Sequence, residues 1–485
     1  MKTLADPTFP VADISVRHPS AIRLALAALS LSMLLSSLGT SIANVSLPTL
    51  AEAFDASFQA VQWIVLGYLL AVTSLIVSVG RLGDLFGPRR ILLAGILIFT
   101  AASVVCGLAS TLWLLITARV VQGVGAAAMM ALTMAFVTET VPKAQIGQAM
   151  GLLGTTSAIG TALGPSVGGF LIAGFGWPAI FFLNVPLGAI AFLLARNYLP
   201  KDRSTKAAGL VFDRLGTFLL ALALSAYALA MTVGRGHFGA WNVSLLALAG
   251  IGIGFFAFVE AKVSAPLVRL ALLQDRKLTA GLLTSGLVST VMMTTFVVGP
   301  FYLSLALGLQ SASVGLVLSL GPLVAAGMGV PAGRMVDRLG AARVATLGLS
   351  GIASGAMSLA LLPAPCGTIA YLAPIVMMTV SYALFQTANN TAVMRDRPPD
   401  QRGVVSGMLN LSRNLGLITG TAIMGAVFAF AANAIDLTKA NPAAVATGMR
   451  VTFGAAAALI LFARAIVMWA GSGKTGSSTP ENTRA

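Results

Sequence analysis

The segment GRLGDLFGPRR, residues 80–90, carries four charged side chains between two long apolar runs. A second copy of the pattern, GRMVDRLGAAR, occupies residues 333–343 and repeats glycine, arginine and aspartate in register. In each copy the segment joins an even-numbered apolar run to the next one. Duplicated halves with a substrate site between them are how many secondary transporters are built. The repeat therefore predicts a membrane protein made of two related halves.

The composition agrees with a membrane location. Hydrophobic residues make up 57% of the 485-residue chain and charged residues 9%, whereas a soluble domain is about one quarter charged. About 20 consecutive apolar residues cross a bilayer core as a helix, and we find fourteen runs of that length. The predicted spans are 22–44, 60–80, 91–110, 113–137, 147–173, 179–197, 213–233, 241–262, 278–305, 313–333, 344–362, 368–391, 404–430 and 449–470.

The distribution of lysine and arginine predicts the orientation. Most of the 30 basic residues fall in loops on one side of the predicted spans, and this side is cytoplasmic in membrane proteins. Both termini are then cytoplasmic, and the net charge of +15 reflects topology rather than nucleic-acid binding. The first apolar run follows about twenty polar residues and is long enough to span, which argues against a cleavable signal peptide.

Few residues are suited to catalysis or metal binding. The two cysteines, Cys106 and Cys366, fall in a predicted span and an outer loop, and His18 and His237 fall in a tail and a loop. These positions suggest no disulfide, metal cluster or nucleophile. We therefore expect neither an enzyme nor a bound cofactor.

The repeated segment is suited to hold two halves together and release them. Its glycines allow close helix approach, and Asp84 is placed to lie at the start of a neighbouring helix. A simpler interpretation is that the arginines only mark the cytoplasmic side and the glycines only make a turn. The predicted latch comprises Gly80, Arg81, Gly83, Asp84, Gly87, Arg89, Arg90, Gly333, Arg334, Asp337, Gly340 and Arg343.

Four motifs together resemble the major facilitator superfamily, and within it the fourteen-span branch of drug:proton antiporters. They are the segment 80–90, RVVQGVGAA at 119–127, GTALGPSVGG at 160–169 and LGTSIANVSLPTL at 38–50. The matching positions in the last three are Arg119, Gln122, Gly123, Gly125, Gly160, Gly164, Pro165, Gly168, Gly169, Thr40, Asn44, Leu47 and Pro48. The resemblance covers nearly the whole chain.

This resemblance implies an all-α fold of two six-helix bundles that rock against each other for alternating access. The bundles would occupy residues 21–200 and 271–470, with a two-helix insert at 201–270 between them. Residues 1–20 would form a cytoplasmic tail and residues 471–485 a disordered one. The antiporter motif would make the fifth span a kinked, closely packed helix through Gly160, Gly164, Pro165, Gly168 and Gly169; ordinary small-residue packing is the alternative.

Charged groups inside a membrane are costly and by default functional. Arg119 and Arg413 lie within predicted spans, and the resemblance gives Arg119 a role in proton handling. For Arg413 two roles are left open, one in gating and one as a hydrogen-bond donor between helices. The branch usually carries an aspartate in the first span, where this chain has Gly39, so proton coupling and a preference for cations are both in question. The predicted coupling and gating set is Asp84, Arg119, Gln122, Glu139 and Arg413.

Uncharged polar residues form two stripes at helical spacing. Such stripes are suited to line a cavity for neutral or anionic substrates as well as cations, although small hydroxyls also bond between helices. The first-span stripe is Ser37, Thr40, Ser41 and Asn44, at i, i+3, i+4 and i+7. The twelfth-span stripe is Tyr382, Gln386, Asn389 and Asn390.

These observations predict a monomeric, multi-pass transporter of the inner membrane whose partners are lipid, protons and a small-molecule substrate, without nucleic acid. The leading hypothesis is export of small lipophilic organic compounds or drugs by proton antiport. The main alternative is a permease for a neutral or anionic metabolite without proton coupling. A membrane enzyme would need a buried catalytic set, which we do not find, and a receptor would bind ligand without flux.

Overall fold

The computed structural model describes residues 19–56, 58–202, 213–232, 239–263, 266, 268, 270–309, 311–363, 367–433 and 441–472. Except for the helical residues 19–20 and 471–472, both predicted tails lie outside these ranges. The described part forms fifteen α-helices: α1 Pro19–Ala53, α2 Phe58–Phe86, α3 Pro88–Gly107, α4 Leu112–Thr140, α5 Ile146–Phe175, α6 Ala179–Phe182, α7 Asn184–Tyr198, α8 Arg214–Thr232, α9 Ala240–Glu260, α10 Arg276–Phe301, α11 Ser311–Leu339, α12 Ala341–Ala360, α13 Thr368–Met394, α14 Arg402–Ala431 and α15 Pro442–Ser472.

The structure supports fewer membrane-crossing helices than the fourteen predicted. Within the described residues, 12 segments are long and apolar enough to cross a membrane, and 13 if α5, which bends by 40°, counts as one span. Helices α6 and α7 together make one of these segments. The remaining predicted span, 344–362, coincides with α12, which is rich in glycine and serine and is not among these segments. The fourteenth span therefore stays a prediction.

The helices pack into two groups with an insert. Helices α1–α7 pack on one another, as do α10–α15. One apolar core lies within α10–α15, and another extends from α1–α7 onto Val404, Val405 and Leu409 of α14. Helices α8 and α9 pack together, and α8 also borders α2 and α14. Cys106 is buried in α3 as a free thiol, whereas Cys366 lies outside the described residues.

The most extensive contacts between the bundles are those of α2 with α14 and of α5 with α11, and α4 with α14 and α5 with α13 also meet. Glycines allow their backbones to touch at one end of the molecule. A Cβ atom on Gly80 would overlap the carbonyl oxygen of Gly403, and one on Gly151 would overlap that of Gly329. Small residues are what permits such close helix packing. We call this end, where the repeated segments also lie, the latch end.

Candidate functional site

A cavity of about 370 Å³ lies between the bundles, above the glycine contacts of the latch end. Apolar side chains supply most of its wall, including Leu69, Val72, Met130, Met292, Met293, Phe296, Val317, Leu318, Ile375 and Leu417. Its polar side chains come from α1, α2, α5, α10, α13 and α14. Arg413 alone carries a formal charge among the described residues that line it. The cavity wall is therefore amphipathic and carries a positively charged side chain.

The first-span stripe lies at this cavity. Ser37, Thr40 and Ser41 line it, while the side chain of Asn44 lies outside what the structure describes. Ser37 Oγ is 2.7 Å from Ser157 Oγ, and Ser41 Oγ donates to the carbonyl oxygen of Gly160 at 3.0 Å. These hydroxyls thus line the cavity and join α1 to α5 at the same time.

The second stripe divides between two environments. Tyr382 and Gln386 line the cavity, but Asn389 and Asn390 are not among its lining residues. Asn389 is buried against α10, where its amide nitrogen donates to the carbonyl oxygen of Gly281 at 3.0 Å. The structure therefore assigns Asn389 to helix packing, because the lower part of α13 turns this face toward α10. Thr387 continues the lining instead.

Arg413 has no hydrogen-bond or ion-pair partner in the described part of the chain, and its Nε atom is shielded from solvent. The backbone around it is firmly held. Ser412 Oγ donates to the carbonyl oxygen of Leu282, and Thr290 Oγ1 donates to that of Gly416 at 3.0 Å. The interhelical hydrogen bond considered for Arg413 is thus made by its neighbour Ser412, and the guanidinium is left at the cavity wall.

Arg119 lies behind the cavity, fully buried in the bundle α1–α7. Its guanidinium donates to the carbonyl oxygens of Ile64 at 3.1 Å and Gly39 at 3.0 Å, and to Gln122 Oε1 at 2.5 Å. It also lies 4.3 Å from the ring centroid of Tyr68, which lines the cavity. Arg119 is thus bonded to the backbone oxygen of Gly39, the residue at which the resemblance leads one to expect an aspartate.

The repeated aspartates each cap a helix of the opposite bundle. Asp84, near the end of α2, accepts hydrogen bonds from the N–H groups of Gly403 at 2.7 Å and Val404 at 3.0 Å, at the start of α14. Asp337, near the end of α11, accepts from Gly147 at 3.0 Å and Gln148 at 2.9 Å, at the start of α5. A carboxylate is favoured there by the free N–H groups and by the positive end of the helix dipole.

Sequence reasoning missed these helix starts, although a signal was present. The segments PKAQIG at 142–147 and PPDQRG at 398–403 share proline, glutamine and glycine in register. Each forms a short 3₁₀ turn, at Lys143–Gln145 and Pro399–Gln401, that leads into the helix being capped. This second repeat leads into the N–H groups that donate hydrogen bonds to the aspartates of the first repeat.

Ion pairs add to the latch end. Arg402 Nη1 lies 3.2 Å from Glu139 Oε1 and joins α14 to α4 across the bundle boundary. Within the second bundle, Arg395 lies 3.5 Å from Asp337 and Arg397 lies 2.6 Å from Asp275. Glu139 is therefore a bundle-to-bundle contact of the latch end and does not line the cavity.

The repeated arginines do not join the bundles in the described structure. Arg89 and Arg90 lie beside Asp202, which accepts the Arg89 N–H at 2.8 Å and so caps α3 within one bundle. Arg334 and Arg343 are exposed. Gly87 (φ +100°) and Gly340 (φ +85°) start α3 and α12 in a backbone conformation that side chains other than glycine rarely adopt. The cross-bundle contact thus belongs to the aspartates.

The predicted antiporter helix, α5, packs its glycines against α1. A Cβ on Gly160 would lie 2.7 Å from the carbonyl oxygen of Leu34, one on Gly164 would overlap Ser41, and one on Gly168 would lie 2.9 Å from Ile42. Gly169 faces open space. The 40° bend falls between Gly164 and Val167, and the proline at 165 lacks the N–H of a regular helix. The side chain of Pro165 lies outside what is described.

The chain matches the Major Facilitator Superfamily over residues 29–421. It is 33% identical over 388 residues to the uncharacterized transporter YebQ of Escherichia coli, covering 79% of this chain and 84% of that protein. It is 31% identical over 398 residues to the riboflavin transporter RibZ of Clostridioides difficile, covering 81% and 86%. It is 32% identical over 407 residues to the putative multidrug resistance protein MdtD of Salmonella typhimurium, covering 81% and 83%.

The fold is similar to that of solved transporters. The structure of the proton:xylose symporter XylE superposes with a TM-score of 0.65 at 14% identity and covers 93% of this chain and 96% of that one. At this identity the likeness concerns the fold alone. Together with the match over most of the chain, it shows that the protein belongs to the major facilitator superfamily, a family of multi-pass membrane transporters rather than enzymes.

Proposed function

We propose that this protein exports small amphipathic organic compounds across the inner membrane by alternating access, with fourteen spans and both termini in the cytoplasm. In this proposal the latch end is the cytoplasmic end, and the cavity between the bundles is the substrate site. The relative named as a putative multidrug resistance protein and the largely apolar wall support this substrate class. The basic residues assigned to the same side by the sequence support the orientation.

The reciprocal capping of the bundles is the observation that carries the proposal. Asp84 accepts hydrogen bonds from the start of α14, and Asp337 accepts them from the start of α5. Each bundle therefore contributes one carboxylate that binds two N–H groups of the other bundle. Such contacts are polar and local, and water is able to replace them when they part. A closed end built in this way is suited to open and close, as rocking bundles require.

For the energy source we propose proton antiport, with Glu139 as the proton carrier. Its ion pair with Arg402 crosses the bundle boundary, so protonation of the carboxylate would weaken the latch and favour opening toward the cytoplasm. Arg119 and Gln122 would keep α1, α2 and α4 in register during the movement, because Arg119 bonds the carbonyl oxygens of Gly39 and Ile64.

A second candidate function is a permease for a neutral or anionic metabolite that needs no proton gradient. The absence of carboxylates among the described residues of the cavity wall favours it, since a buried carboxylate is the usual site of a transported proton. The relative named as a riboflavin transporter supports the same possibility.

Liposomes that hold the purified protein and a pH dye separate the two functions. An inside-acid gradient is imposed, and riboflavin, 2-naphthoate, 2-naphthamide or tetraphenylphosphonium is added outside, with labelled compounds followed in parallel. Proton antiport predicts proton efflux triggered by a transported compound and lost in Glu139→Gln, while Asp84→Asn impairs flux itself. Flux without proton release would favour the permease, and no flux of any compound would contradict both functions.

A further inference from the structure

We propose that the cavity selects organic anions, whose acidic group binds the guanidinium of Arg413. This inference rests on the proposed function and names the substrate class of its site. The starting point is the charge of the wall, because Arg413 is the one formally charged residue among the described lining. An entering cation would meet like charge in a medium of low dielectric, whereas an anion would be attracted.

The state of Arg413 points to a ligand. Its Nε atom is shielded from solvent, and no group in the described part of the chain accepts a hydrogen bond from it. The residue as a whole is only partly buried and lines the cavity, so an oxyanion that binds there would supply the acceptor that Nε lacks. The planar guanidinium is suited to bind a carboxylate or phosphate oxygen pair through two parallel hydrogen bonds.

Arg413 is also held in place. On α14 it lies between Ser412, which bonds Leu282, and Gly416, whose carbonyl oxygen accepts from Thr290. Both contacts fix α14 against α10. The guanidinium is therefore presented from a rigid part of the wall, and less entropy is lost when an anion binds than at a flexible loop.

A second positive charge acts from behind the wall. Arg119 lies 4.3 Å from the ring centroid of Tyr68, which itself lines the cavity, and no ion pair to Arg119 occurs within the described residues. The carboxylates Glu139, Asp84 and Asp337 are engaged at the latch end. The described surroundings of the cavity thus have a net positive charge.

The uncharged residues of the cavity wall indicate what the ligand carries besides its acidic group. Met292, Met293 and Phe296 offer polarizable apolar surface in the same cavity wall, and Tyr382 and Gln386 offer hydrogen-bonding groups. Methionine makes favourable contacts with aromatic rings. The class that matches both features is a compact aromatic or aliphatic compound that carries one acidic group.

Three probes with one ring system isolate the charge: 2-naphthoate, 2-naphthamide and 2-naphthylmethylammonium. Their binding to the purified full-length protein in detergent is measured by titration at neutral pH. We expect 2-naphthoate to bind at least tenfold more tightly than either of the other probes. Arg413→Gln should abolish this preference, and Arg413→Lys should retain part of it because the charge remains while the two-bond geometry is lost.

Two further variants keep the result interpretable if Arg413→Gln folds poorly. Gln386→Glu places an acid in the cavity at constant size, so it should weaken 2-naphthoate binding and strengthen binding of the ammonium probe. Arg450→Gln, near Thr447 and outside the cavity lining, should bind all three probes as the unmodified protein does.

Each other result overturns the inference. Equal or tighter binding of the amide or ammonium probe contradicts selection of anions, and an anion preference that survives in Arg413→Gln contradicts the role of Arg413. If none of the three probes binds, the cavity does not recognise this class. Flux of riboflavin or tetraphenylphosphonium in liposomes would then still support the proposed transport function, so the two failures are distinguishable.

Discussion

Arg119 shows how a single residue couples three helices near the cavity. The guanidinium on α4 reaches backbone oxygens on α1 and α2, and Tyr68 on α2 lies against it. Tyr68 in turn donates to the carbonyl oxygen of Ser36 at 2.9 Å. Burial of such a charge costs several kcal/mol, which is offset here by carbonyl dipoles and a ring face rather than by a carboxylate.

We expect Arg119→Met to separate stability from transport. The substitution removes three hydrogen bonds, worth about 1.5–3 kcal/mol each when one group is charged, and also removes a desolvation cost of several kcal/mol. The two effects oppose each other, so thermal unfolding should change little, whereas flux should be lost because Tyr68 is no longer positioned. Arg450→Met is the surface control and should keep both properties. A variant that unfolds readily would show that Arg119 is mainly structural.

Asp275 lies outside the predicted spans, and its ion pair makes the stability of the fold depend on pH. Burial alone would raise the pKa of its carboxyl group, but the hydrogen bond and charge of Arg397, with the N–H groups of Lys277 and Leu278, hold that pKa below its ordinary value of 3.8. A pKa that is lower in the folded state stabilises the fold above the ordinary pKa, and this stabilisation is lost as the pH falls through the folded pKa.

Asp275→Asn should therefore destabilise the protein modestly at neutral pH and not at all in strong acid. Asparagine still caps α10, so the loss is that of a partly exposed ion pair, about 0.2–1 kcal/mol. Thermal unfolding of both proteins from pH 7 down to about pH 2 would show the difference closing below the ordinary pKa. Substitution of the exposed Asp396 is the control, and a difference that grows in acid would contradict the assignment.

At the scale of elements, the latch end consists of two equivalent contacts made by different parts of the chain. The ends of α2 and α11 carry the carboxylates, and the starts of α14 and α5 carry the N–H groups. A rigid movement of one bundle must break both contacts together. The two caps are therefore expected to behave as one cooperative device.

Hydrogen–deuterium exchange tests this cooperation. A charge at a helix start contributes about 1 kcal/mol, so Asp84→Asn should speed exchange of the Gly403 and Val404 amides about fivefold. Because both caps open together, the amides of Gly147 and Gln148 should accelerate as well.

The matched control is Asp202→Asn. Asp202 accepts from the N–H groups of Arg89 and Arg90 within one bundle, so its loss should affect only the start of α3. Acceleration confined to α14 in Asp84→Asn would mean that each cap opens alone and that the latch is not cooperative.

At the scale of the whole molecule, the sequence was sufficient for the family and its helical fold. Span length and composition predict helices, and helical spacing places Ser37, Thr40 and Ser41 on one face. The same spacing was wrong for Asn389, because which neighbour a helix face meets depends on packing between distant segments. The partners of Asp84, and the lack of an acceptor for Arg413 Nε among the described residues, depend on the same long-range contacts, which periodicity does not contain.

Composition alone does not decide how many helices cross the membrane. Helix α12 has the length of a span, but its small and polar residues are those of a helix that packs against protein, and it packs on α13 and α15. Whether α12 crosses the membrane therefore stays a prediction.

The central claim is that the latch end must open for transport, and a reversible cross-link tests it most directly. Glu139→Cys and Arg402→Cys are introduced into a chain that also carries Cys106→Ser and Cys366→Ser, and a short, reducible bifunctional thiol reagent joins them. The side chains of the unmodified pair meet at 3.2 Å across the bundle boundary, which makes the link feasible in the closed state.

The control is the same reagent on Asp275→Cys and Arg397→Cys, a pair that meets at 2.6 Å within one bundle. Exchange of labelled for unlabelled compound, which needs no net proton movement and so does not depend on Glu139, is the flux followed in liposomes, for the compound that crosses fastest before cross-linking. The account predicts that the cross-bundle link stops flux, that reduction restores it, and that the control link leaves it unchanged. Flux that continues with the bundles linked at the latch end would contradict the account.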